Sequence, residues 1–414
     1  MKLYFSNSGC SIEAEDFLRI VRLTHAEKAE TIFDADIVII HFCALSTEVI
    51  TYIPHILGIT DELKKHNPEL KVFVGGCAEQ IIDLENRGNI DGTFRRGKMV
   101  EDLSKYLNYD YSNNNFPINY HGAVRIQMGC ARKCGFCKKA YLDMPLTSKP
   151  LENILADVKS AIADGFGDIE LLAENSTEYG LDLNPRVSLL QLLKEICALE
   201  GLKFLTVSAL CIDELALDDE LVEYIRKKKK IRKVQIEAQT LIPTVREKMC
   251  LSSSAEDVLR IMKAFEEKFI VTNVMTGYPG EIETDFKAQL KLIDSEDLYF
   301  IQVNQYDNTP YVPASNLKQV PKEISDLRLL ELLRTINKVK SRKAKSLIRT
   351  VVDCVYTLEG RFEVLGHTAE VILNEPKHDE YSYGQSIRVR IKSFDAEKTN
   401  TNPYMIMQLE GVEV

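Results

Sequence analysis

The sequence predicts an α/β protein of three successive parts: a small parallel α/β sheet, a partial barrel of repeated strand-helix units, and a small all-β domain. Short apolar runs alternate with amphipathic stretches over most of the chain, which is typical of parallel sheets. Residues 349–414 instead carry short strand-like runs separated by turn residues, which favours a small β-barrel. With 414 residues, the chain is long enough for about two to four domains.

The composition indicates a cytoplasmic globular protein. Hydrophobic residues make up 45% of the chain, and no apolar run approaches the roughly 18 residues that cross a bilayer. Ten cysteines without a secretory segment indicate a reducing compartment, where thiols serve metals or catalysis more often than disulfides. The net charge of −10 argues against a broad nucleic-acid footprint. The basic run at residues 227–233 is best explained as a solvated helix end.

In the first part, each predicted strand leads into a cysteine. The strands are expected at residues 2–7, 36–42 and 71–75, and they are followed by Cys10, Cys43 and Cys77. Because the carboxyl ends of parallel strands meet at one edge of a sheet, the three cysteines are expected to converge there. The alternative is three separate buried cysteines, since free cysteine often acts as a small hydrophobic residue.

A polar, turn-rich linker at residues 111–119 leads into six strand-helix units. Such repeats suggest a partial (βα)6 TIM-type barrel with its active site at the strand carboxyl ends. A long basic helix at residues 321–345 then leads into an all-β part that is acidic on balance. The predicted domains are 1–112, 113–348 and 349–414. The barrel strands are expected at 124–128, 168–173, 204–209, 234–238, 271–276 and 300–305, the helices at 151–163, 187–199, 255–268 and 283–295, and the final strands at 350–356, 369–373, 386–391 and 405–409.

A second group of cysteines, Cys130, Cys134 and Cys137, follows the first barrel strand in the run Gly-Cys-Ala-Arg-Lys-Cys-Gly-Phe-Cys. Three thiolates on one loop can each hold one iron of a [4Fe-4S] cubane and leave the fourth iron open for chemistry. A zinc site would need a fourth ligand, and His121 lies on the wrong side of the strand. A disulfide is disfavoured by the reducing compartment.

The CxxxCxxC spacing, with Phe136 before the last cysteine, resembles the signature of the radical S-adenosylmethionine (SAM) superfamily. Over its whole length the chain resembles the radical SAM methylthiotransferases, which combine a flavodoxin-like domain with three cysteines, a radical SAM barrel and a C-terminal TRAM domain. Further matches are Gly-Tyr-Pro-Gly-Glu-Ile-Glu-Thr-Asp-Phe from Gly277 and Gln-Tyr-Asp-Asn-Thr-Pro from Gln305.

The resemblance implies a sulfur-group transferase that replaces an unactivated C–H bond by C–S–CH3 and consumes two SAM molecules. It implies that Cys130, Cys134 and Cys137 hold the cluster that binds and cleaves SAM. Cys10, Cys43 and Cys77 match the ligands of an auxiliary [4Fe-4S] cluster, which carries the sulfur atom. Two clusters are needed because a carbon radical must meet a pre-loaded sulfur before it is quenched. An electron donor such as flavodoxin or ferredoxin is expected.

No catalytic residue is assigned beyond the clusters, but several residues are predicted to contact SAM. Superfamily resemblance implies that Phe136 contacts the adenine. The others lie at strand ends, where ordinary polar termini are the alternative explanation. They are Glu174 and Asn175 after the second strand, Gln239 at the end of the fourth, and Gly277 with Pro279 after the fifth.

Two branches of the family differ in substrate, and the motifs favour one of them. Ala-Glu-Asn-Ser-Thr-Glu-Tyr-Gly from Ala173, and Pro243 after the Gln239 motif, are closer to the branch that modifies an aspartate of a ribosomal protein. The acidic balance agrees, because it attracts basic polypeptides and repels tRNA. The predicted substrate is therefore a polypeptide, a ribosomal protein or a dedicated peptide, modified at the β-carbon of an acidic residue.

Three alternatives remain open at this point. One is thiomethylation of a tRNA adenosine, another is a radical SAM enzyme with a single cluster, and the third is a non-catalytic iron-sulfur or RNA-binding protein of the same architecture. A monomer is expected. The remaining cysteines have no partner spacing and are predicted to be structural: Cys197, Cys211, Cys250 and Cys354.

Overall fold

The structure is a computed structural model that describes residues 1–7, 10–43, 47–77, 89–112, 116–118, 122–141, 144–308, 312–357, 360–377, 381–401 and 406–414. The chain forms two compact units, Met1–Cys130 with Lys138–Phe166, and Ala131–Cys137 with Gly167–Val414. His121, much of the predicted linker, and Thr309 and Pro310 lie outside the described residues. Within those residues, no helix has the length and apolar character that a membrane crossing requires. The domain limits at 112 and 348 stay a prediction.

A five-stranded parallel sheet forms the centre of the first unit. Its strand order is β2-β1-β3-β4-β5. Strand β3 is buried along its whole length because both faces of the sheet are covered. Val38 and Ile40 pack with residues of α2, while Ile37 and Ile39 pack with residues of α1 and α3. The elements are β1 (Lys2–Asn7), α1 (Ser11–Leu23), β2 (Glu27–Lys28), β3 (Ile37–His41), α2 (Thr47–His66), β4 (Lys71–Gly76), β5 (Gly92–Arg95) and α3 (Met99–Leu107).

The predicted strand at 124–128 is interrupted. It forms β6 (Ala123–Arg125) and β7 (Gln127–Met128), and β7 pairs antiparallel with β8 (Thr147–Ser148). The buried Gln127 side chain donates to the carbonyl of Gly129 at 3.1 Å, so the chain turns directly before Cys130. Helix α4 (Leu151–Ala163) follows, with the predicted bounds.

The second unit contains five parallel strands in the order β13-β12-β11-β10-β9. In β11 the apolar Val234 and Ile236 are buried, whereas Gln235 and Glu237 on the opposite face are only half buried. Helices follow the strands, as expected for a partial barrel. These elements are β9 (Asp168–Leu172), α5 (Leu189–Ala198), β10 (Phe204–Cys211), α6 (Ile212–Leu215), α7 (Asp219–Lys227), β11 (Ile231–Gln239), α8 (Pro243–Lys248), α9 (Ala255–Ala264), β12 (Phe269–Thr276), α10 (Glu283–Ser295) and β13 (Ile301–Gln305).

A long helix connects these strands to a small closed barrel with strand order β14-β15-β16-β18-β17. Thr368 attaches this barrel to the start of β12. Its hydroxyl donates to the Ile270 carbonyl at 2.7 Å and accepts from the Ile270 N–H at 3.1 Å. The elements are α11 (Lys322–Leu347), β14 (Val351–Tyr356), β15 (Arg361–Val364), β16 (Ala369–Glu375), β17 (Ser386–Phe394), α12 (Ala396–Thr401) and β18 (Met407–Glu413).

The basic run at 227–233 has structural partners. Lys227 pairs with Glu223 at 2.8 Å, and Lys230 donates to two carbonyl oxygens at the end of α5. Arg232 is buried and pairs at 3.0 Å with both Asp168 and Glu363. These cations therefore stabilise helix ends and the attachment of the small barrel.

The predicted architecture is confirmed: a parallel α/β sheet, a partial barrel of strand-helix units and a small closed β-barrel. One difference concerns α9, which ends at Ala264 and not at residue 268. The chain turns at Phe265 because Phe269 already begins the next strand.

Candidate functional site

Residues 131–137 of the cysteine loop are held by main-chain hydrogen bonds within the second unit. The Gly135 N–H donates to the Met249 carbonyl at 3.0 Å, and the Gly135 carbonyl accepts from Ala314 at 3.2 Å. A Cβ on Gly135 would lie 2.8 Å from the Tyr278 hydroxyl and 2.9 Å from the Lys248 carbonyl. Only glycine therefore fits between these groups without a shift of the backbone.

Arg132 links this loop to the end of β10. Its guanidinium donates to Asp213 and, at 2.7 Å, to Glu214. Asp213 also accepts from the N–H groups of Ser252 at 2.7 Å and Ser253 at 3.1 Å. Burial alone would raise the pKa of Asp213, but these hydrogen bonds hold it below its usual range. Asp213 is therefore an ionised centre that fixes Arg132 beside Cys134.

Burial raises the pKa of the Cys134 thiol, and the nearby Arg132 guanidinium opposes that shift. A group that lowers the free energy of forming the thiolate suits a metal ligand, because a metal binds cysteine in its thiolate form. Cys211, at the end of β10, is buried, and its pKa is raised by burial and by Glu214. Its predicted structural role fits this burial.

Asn175 lies at the turn that follows β9, where the sequence predicts a SAM contact. It is buried, and its side-chain oxygen accepts from the Thr177 N–H at 3.2 Å. Its Nδ2 is buried and has no hydrogen-bond partner among the described residues. Glu178 in the same turn accepts from the Ala131 N–H at 2.9 Å, so this turn also supports the cysteine loop. Its neighbour Glu174 is partly exposed.

Gln239 lies at an irregularity at the end of β11, where its backbone adopts a left-handed φ of 63°. Bulges of this kind occur next to active sites, where they redirect a side chain, and positive φ is uncommon for a residue such as Gln. Its Nε2 donates at 3.1 Å to Glu237, which also accepts from Asn273 at 2.6 Å. Gln239, a predicted SAM contact, is therefore part of a hydrogen-bonded group of polar side chains with Glu237 and Asn273.

Gly277 and Pro279 follow β12 and are buried. Gly277 has a φ of 77°, and a Cβ there would lie 2.1 Å from the Ser325 hydroxyl of α11. The close approach of this helix accounts for the glycine, and contact with SAM stays a prediction. Phe136 is partly exposed in the cysteine loop. Tyr306, after β13, has a buried hydroxyl with no hydrogen-bond partner among the described residues.

In the first unit, Cys10, Cys43 and Cys77 follow β1, β3 and β4, which are neighbouring strands. Burial raises the pKa of the Cys77 thiol to about 11, and Cys43 and Cys10 are close enough to raise it further. Arg96 acts in the opposite direction on both Cys77 and Cys10. The three cysteines therefore follow neighbouring strands at one edge of the sheet.

Asn7 and His41 support this edge. The Asn7 side chain donates to the Cys10 carbonyl at 2.8 Å and accepts from the Cys10 N–H at 2.9 Å. His41 Nδ1 lies 3.1 Å from the Asn7 oxygen, and burial lowers the His41 pKa to about 4. A Cβ on Gly76 would lie 2.3 Å from the His41 ring, so glycine is required directly before Cys77.

A buried ionic cluster supports helix α1, which begins directly after Cys10. Glu15 lies 2.8 Å from Arg19, 3.4 Å from Arg125 and 3.2 Å from Lys149. Burial alone would raise the pKa of Glu15, but these three cations lower it to about 2. Glu15 is therefore a structural carboxylate.

Known proteins resemble this chain in both sequence and fold. The model of the radical SAM superfamily matches residues 124–293. A tRNA-2-methylthio-N(6)-dimethylallyladenosine synthase of Clostridium botulinum (strain Hall) is 26% identical, with 83% of each chain covered. The ribosomal protein uS12 methylthiotransferase RimO of Carboxydothermus hydrogenoformans is 24% identical, with 95% of this chain and 98% of the relative covered.

The chain is therefore similar to radical SAM methylthiotransferases over most of its length. The relatives carry the predicted enzyme class, and both substrate branches occur among them. The fold is also similar to the radical SAM methyltransferase TsrM of Kitasatospora setae, solved with cobalamin and a [4Fe-4S] cluster. That comparison has a TM-score of 0.54 and 15% identity, and it covers 76% of each chain.

The radical SAM superfamily implies a [4Fe-4S] cluster and SAM, and the cysteines of this chain fit the cluster. Six free cysteines occupy the two predicted ligand sets. In the parts of the chain that are described, no three His, Cys, Asp or Glu side chains surround a position for one metal ion. Ligands of a cubane bind separate irons and need not surround a single ion.

Sequence reasoning missed the residues that hold the cysteine loop. Arg132 and Asp213 are 81 positions apart, and the only available signal was an Arg between two predicted cluster ligands. Thr240, directly after Gln239, is buried and its hydroxyl donates to Gln289 of α10 at 3.1 Å.

Proposed function

We propose that this protein is a radical SAM methylthiotransferase that inserts a methylthio group at an unactivated C–H bond of a polypeptide side chain, with the β-carbon of an acidic residue as the favoured position. Two SAM molecules and two [4Fe-4S] clusters are required, one on Cys130, Cys134 and Cys137 and one on Cys10, Cys43 and Cys77. The observation that carries the two-cluster proposal is the position of three cysteines after neighbouring strands at one edge of the first sheet. An enzyme with a single cluster would have no use for that arrangement.

When bound, the clusters and SAM supply the radical and the methylated sulfur. The residues of the chain position and shield these groups. Gly135 and Glu178 hold the cysteine loop, and Arg132 joins it to Asp213 and Glu214. In our proposal, Asn175 and Gln239 bind SAM through polar atoms at the strand ends, and Asn7 and Arg96 support the thiols of the first unit.

The charge distribution supports a polypeptide substrate. Residues 349–414 contain eleven acidic and seven basic residues, and the whole chain has a net charge of −10. The basic run at 227–233 is largely engaged with carboxylates and helix ends of its own chain. Affinity for nucleic acid depends on cations that are available to phosphates. An acidic surface instead attracts a basic protein.

The first experiment compares substrates. Reconstituted enzyme is incubated with SAM, dithionite and either ribosomal proteins, peptides or tRNA, and each product is examined for a gain of about 46 Da, which corresponds to replacement of H by SCH3. A modified acidic residue in a polypeptide is the expected result. Modification of tRNA with no modified polypeptide would contradict the proposed substrate.

The second experiment tests the auxiliary cluster with Cys77→Ala. We expect the iron content to fall from about eight to about four per chain, because one cubane is lost. SAM cleavage should continue while methylthio product disappears. Cys354→Ala, at another buried cysteine, is the matched control and should retain all the iron. If Cys77→Ala also retained about eight irons, the two-cluster assignment would be wrong.

A specific surface favours tRNA as the second candidate substrate. Arg388, Arg390 and Lys392 alternate along β17 with buried residues, and all three are exposed on the same face. Seven relatives that match this chain are named tRNA-2-methylthio-N(6)-dimethylallyladenosine synthases. If tRNA binds this row, replacing all three residues with Gln should weaken binding. The dependence of tRNA affinity on salt concentration should also fall by the equivalent of about three phosphate contacts. Unchanged salt dependence would exclude the row as the binding surface.

The electron donor, the monomeric state and the cytoplasmic location that the sequence suggests stay predictions.

A further inference from the structure

Tyr306, directly after β13, has its polar end turned into the protein. The residue as a whole is partly exposed, but its hydroxyl oxygen is buried and has no hydrogen-bond partner among the described residues. Tyrosines usually show the reverse arrangement, in which the ring is buried and the hydroxyl reaches water or a partner. A hydroxyl that is buried without a partner indicates a group that binds there.

Tyr306 differs in this respect from other side chains that carry an unpaired buried atom. In the described part of the chain, most of those side chains form hydrogen bonds through their remaining polar atoms. One oxygen of Glu281, for example, is unpaired, but the other accepts from Arg328 at 2.8 Å. A phenol has a single polar atom, so the Tyr306 side chain is left wholly unsatisfied. Such a buried donor destabilises the protein unless a ligand pairs with it.

The contacts of Tyr306 connect it to the cysteine loop within the second unit. Its N–H donates to the Thr276 carbonyl at 2.9 Å, so the residue lies beside the end of β12. Its ring meets the Tyr278 ring edge-on, with 5.2 Å between the ring centroids. The Tyr278 hydroxyl donates to the Lys248 carbonyl at 3.0 Å and would lie 2.8 Å from a Cβ on Gly135. One aromatic ring therefore separates Tyr306 from the loop that carries the predicted ligands of the SAM-binding cluster.

These surroundings favour SAM as the partner of the hydroxyl. Two predicted SAM contacts, Gly277 and Pro279, flank Tyr278 in the sequence, and a third, Phe136, lies on the cysteine loop. SAM carries hydroxyl, amino and ring nitrogen groups, and a phenol can both donate to and accept from such groups. Burial raises the pKa of Tyr306, so its hydroxyl remains protonated at neutral pH and can act as a donor.

We infer that the Tyr306 hydroxyl forms a hydrogen bond to bound SAM at a position that is already formed before SAM binds. The inference rests on the proposed function, which places SAM at the strand ends of the second unit. It leads to two effects of opposite sign. The hydroxyl should lower the stability of the protein without SAM, and it should strengthen the binding of SAM.

Tyr306→Phe is the test, because it removes the hydroxyl and keeps the ring against Tyr278. Isothermal titration calorimetry on the anaerobically reconstituted full chain should show SAM binding that is weaker by about five- to tenfold, the factor for one hydrogen bond. Urea denaturation without SAM should give a midpoint equal to or above that of wild type, because no internal hydrogen bond is lost.

Two results for Tyr306→Phe would overturn the inference. Unchanged SAM affinity would mean that the hydroxyl meets only water. A lower urea midpoint without SAM would mean that the hydroxyl has an internal partner in the folded protein.

Tyr299→Phe is the matched control, since Tyr299 lies just before β13, at the opposite end of the same strand. Its hydroxyl accepts from the Thr368 N–H at 3.4 Å and lies 3.5 Å from His367 Nδ1. The expected effects are reversed, with a lower urea midpoint and unchanged SAM affinity. If Tyr299→Phe weakened SAM binding as much as Tyr306→Phe, the effect would be a general one of losing a hydroxyl, and the inference would be wrong.

Steady-state formation of 5′-deoxyadenosine without substrate gives an independent measurement. A hydrogen bond that is equally strong before and during SAM cleavage contributes uniform binding. Tyr306→Phe should therefore raise the KM for SAM by about five- to tenfold and change kcat by less than about twofold. A fall in kcat with an unchanged KM would contradict a role in binding SAM.

Cys134→Ser distinguishes a failure of this inference from a failure of the proposed function. We expect this variant to lose SAM binding, because its cluster is lost, and SAM binding equal to that of wild type would refute the proposed cluster site. If Cys134→Ser lost SAM binding while Tyr306→Phe kept it in full, only the role of Tyr306 would be refuted. Neither polypeptide nor tRNA enters these measurements, so the choice of substrate does not affect them.

Discussion

Cys10, Cys43 and Cys77 follow three different strands of the first sheet, whereas Cys134 and Cys137 lie on one short stretch of the second unit. The first group is placed by sheet topology, since β1, β3 and β4 are neighbours and their carboxyl ends share an edge. The second group is placed by side chains and carbonyls that hold a loop without regular structure. Single substitutions near the first group should therefore leave its cysteines in place. The second group should depend on the few residues that hold its loop.

Gly135→Ala should have the largest effect, because it removes the space on which the loop depends. The new Cβ would lie 2.9 Å from the Lys248 carbonyl, so the loop backbone must move. We expect the variant to lose about half of its iron, and formation of 5′-deoxyadenosine to fall about 100-fold or more, since small displacements at a reacting centre have effects of that size. Iron analysis and product quantification provide the measurement.

Gly58→Ala is the control for this change. Gly58 is an exposed residue of α2, and a Cβ added there would have no contact within 4 Å beyond its own helix backbone, so both iron and activity should be unchanged. Full iron and normal activity in Gly135→Ala would show that the loop adapts, and the contrast between the two cysteine groups would then fail.

Asp213→Asn should have the next largest effect, on stability. Asp213 is 4% exposed and accepts from Arg132, Arg246 and the N–H of Ser252. Removing one partner of a buried charge pair costs about 3–5 kcal/mol, because the remaining cations lose their compensation. Urea denaturation monitored by circular dichroism measures this loss.

Asp219→Asn provides the comparison for Asp213→Asn. The Asp219 side chain is 88% exposed and pairs with Arg260 at 3.0 Å. A pair of this kind contributes about 0–1 kcal/mol. Similar losses in the two variants would mean that the hydrogen bonds around Asp213 contribute little, and that the loop is held by its main chain alone.

The contrast also explains what the sequence could predict. Helices α4 and α10 have the predicted bounds because an amphipathic period is a local signal. The position of Cys10, Cys43 and Cys77 after neighbouring strands was predictable, because the carboxyl ends of parallel strands share one edge of a sheet. The Arg132–Asp213 pair was not, since it joins distant positions through side-chain geometry. The φ of 63° at Gln239 likewise depends on strand pairing that no local pattern encodes.

Glu15→Gln tests the buried ionic cluster that supports helix α1 of the first unit. It should have the smallest of the three effects. The pKa of Glu15 is lowered from 4.5 to about 2. Because the folded-state value lies below the unfolded one, the carboxylate stabilises the fold fully above pH of about 4.5, and this contribution is lost as the pH falls toward 2. We expect the variant to be less stable by about 3 kcal/mol at pH 7.

The pH dependence distinguishes this electrostatic contribution from simple loss of packing. The stability difference between wild type and Glu15→Gln, measured by urea denaturation, should be constant from pH 7 to about 5 and shrink as the pH falls further. Glu220→Gln, whose side chain is 74% exposed, should show a difference within about 0.5 kcal/mol throughout. A difference for Glu15→Gln that did not change on acidification would mean that Arg19, Arg125 and Lys149 do not hold the carboxylate ionised. Iron bound by Cys10, Cys43 and Cys77 should survive this substitution at pH 7, since the order of β1, β3 and β4 and not the ionic cluster brings those thiols together.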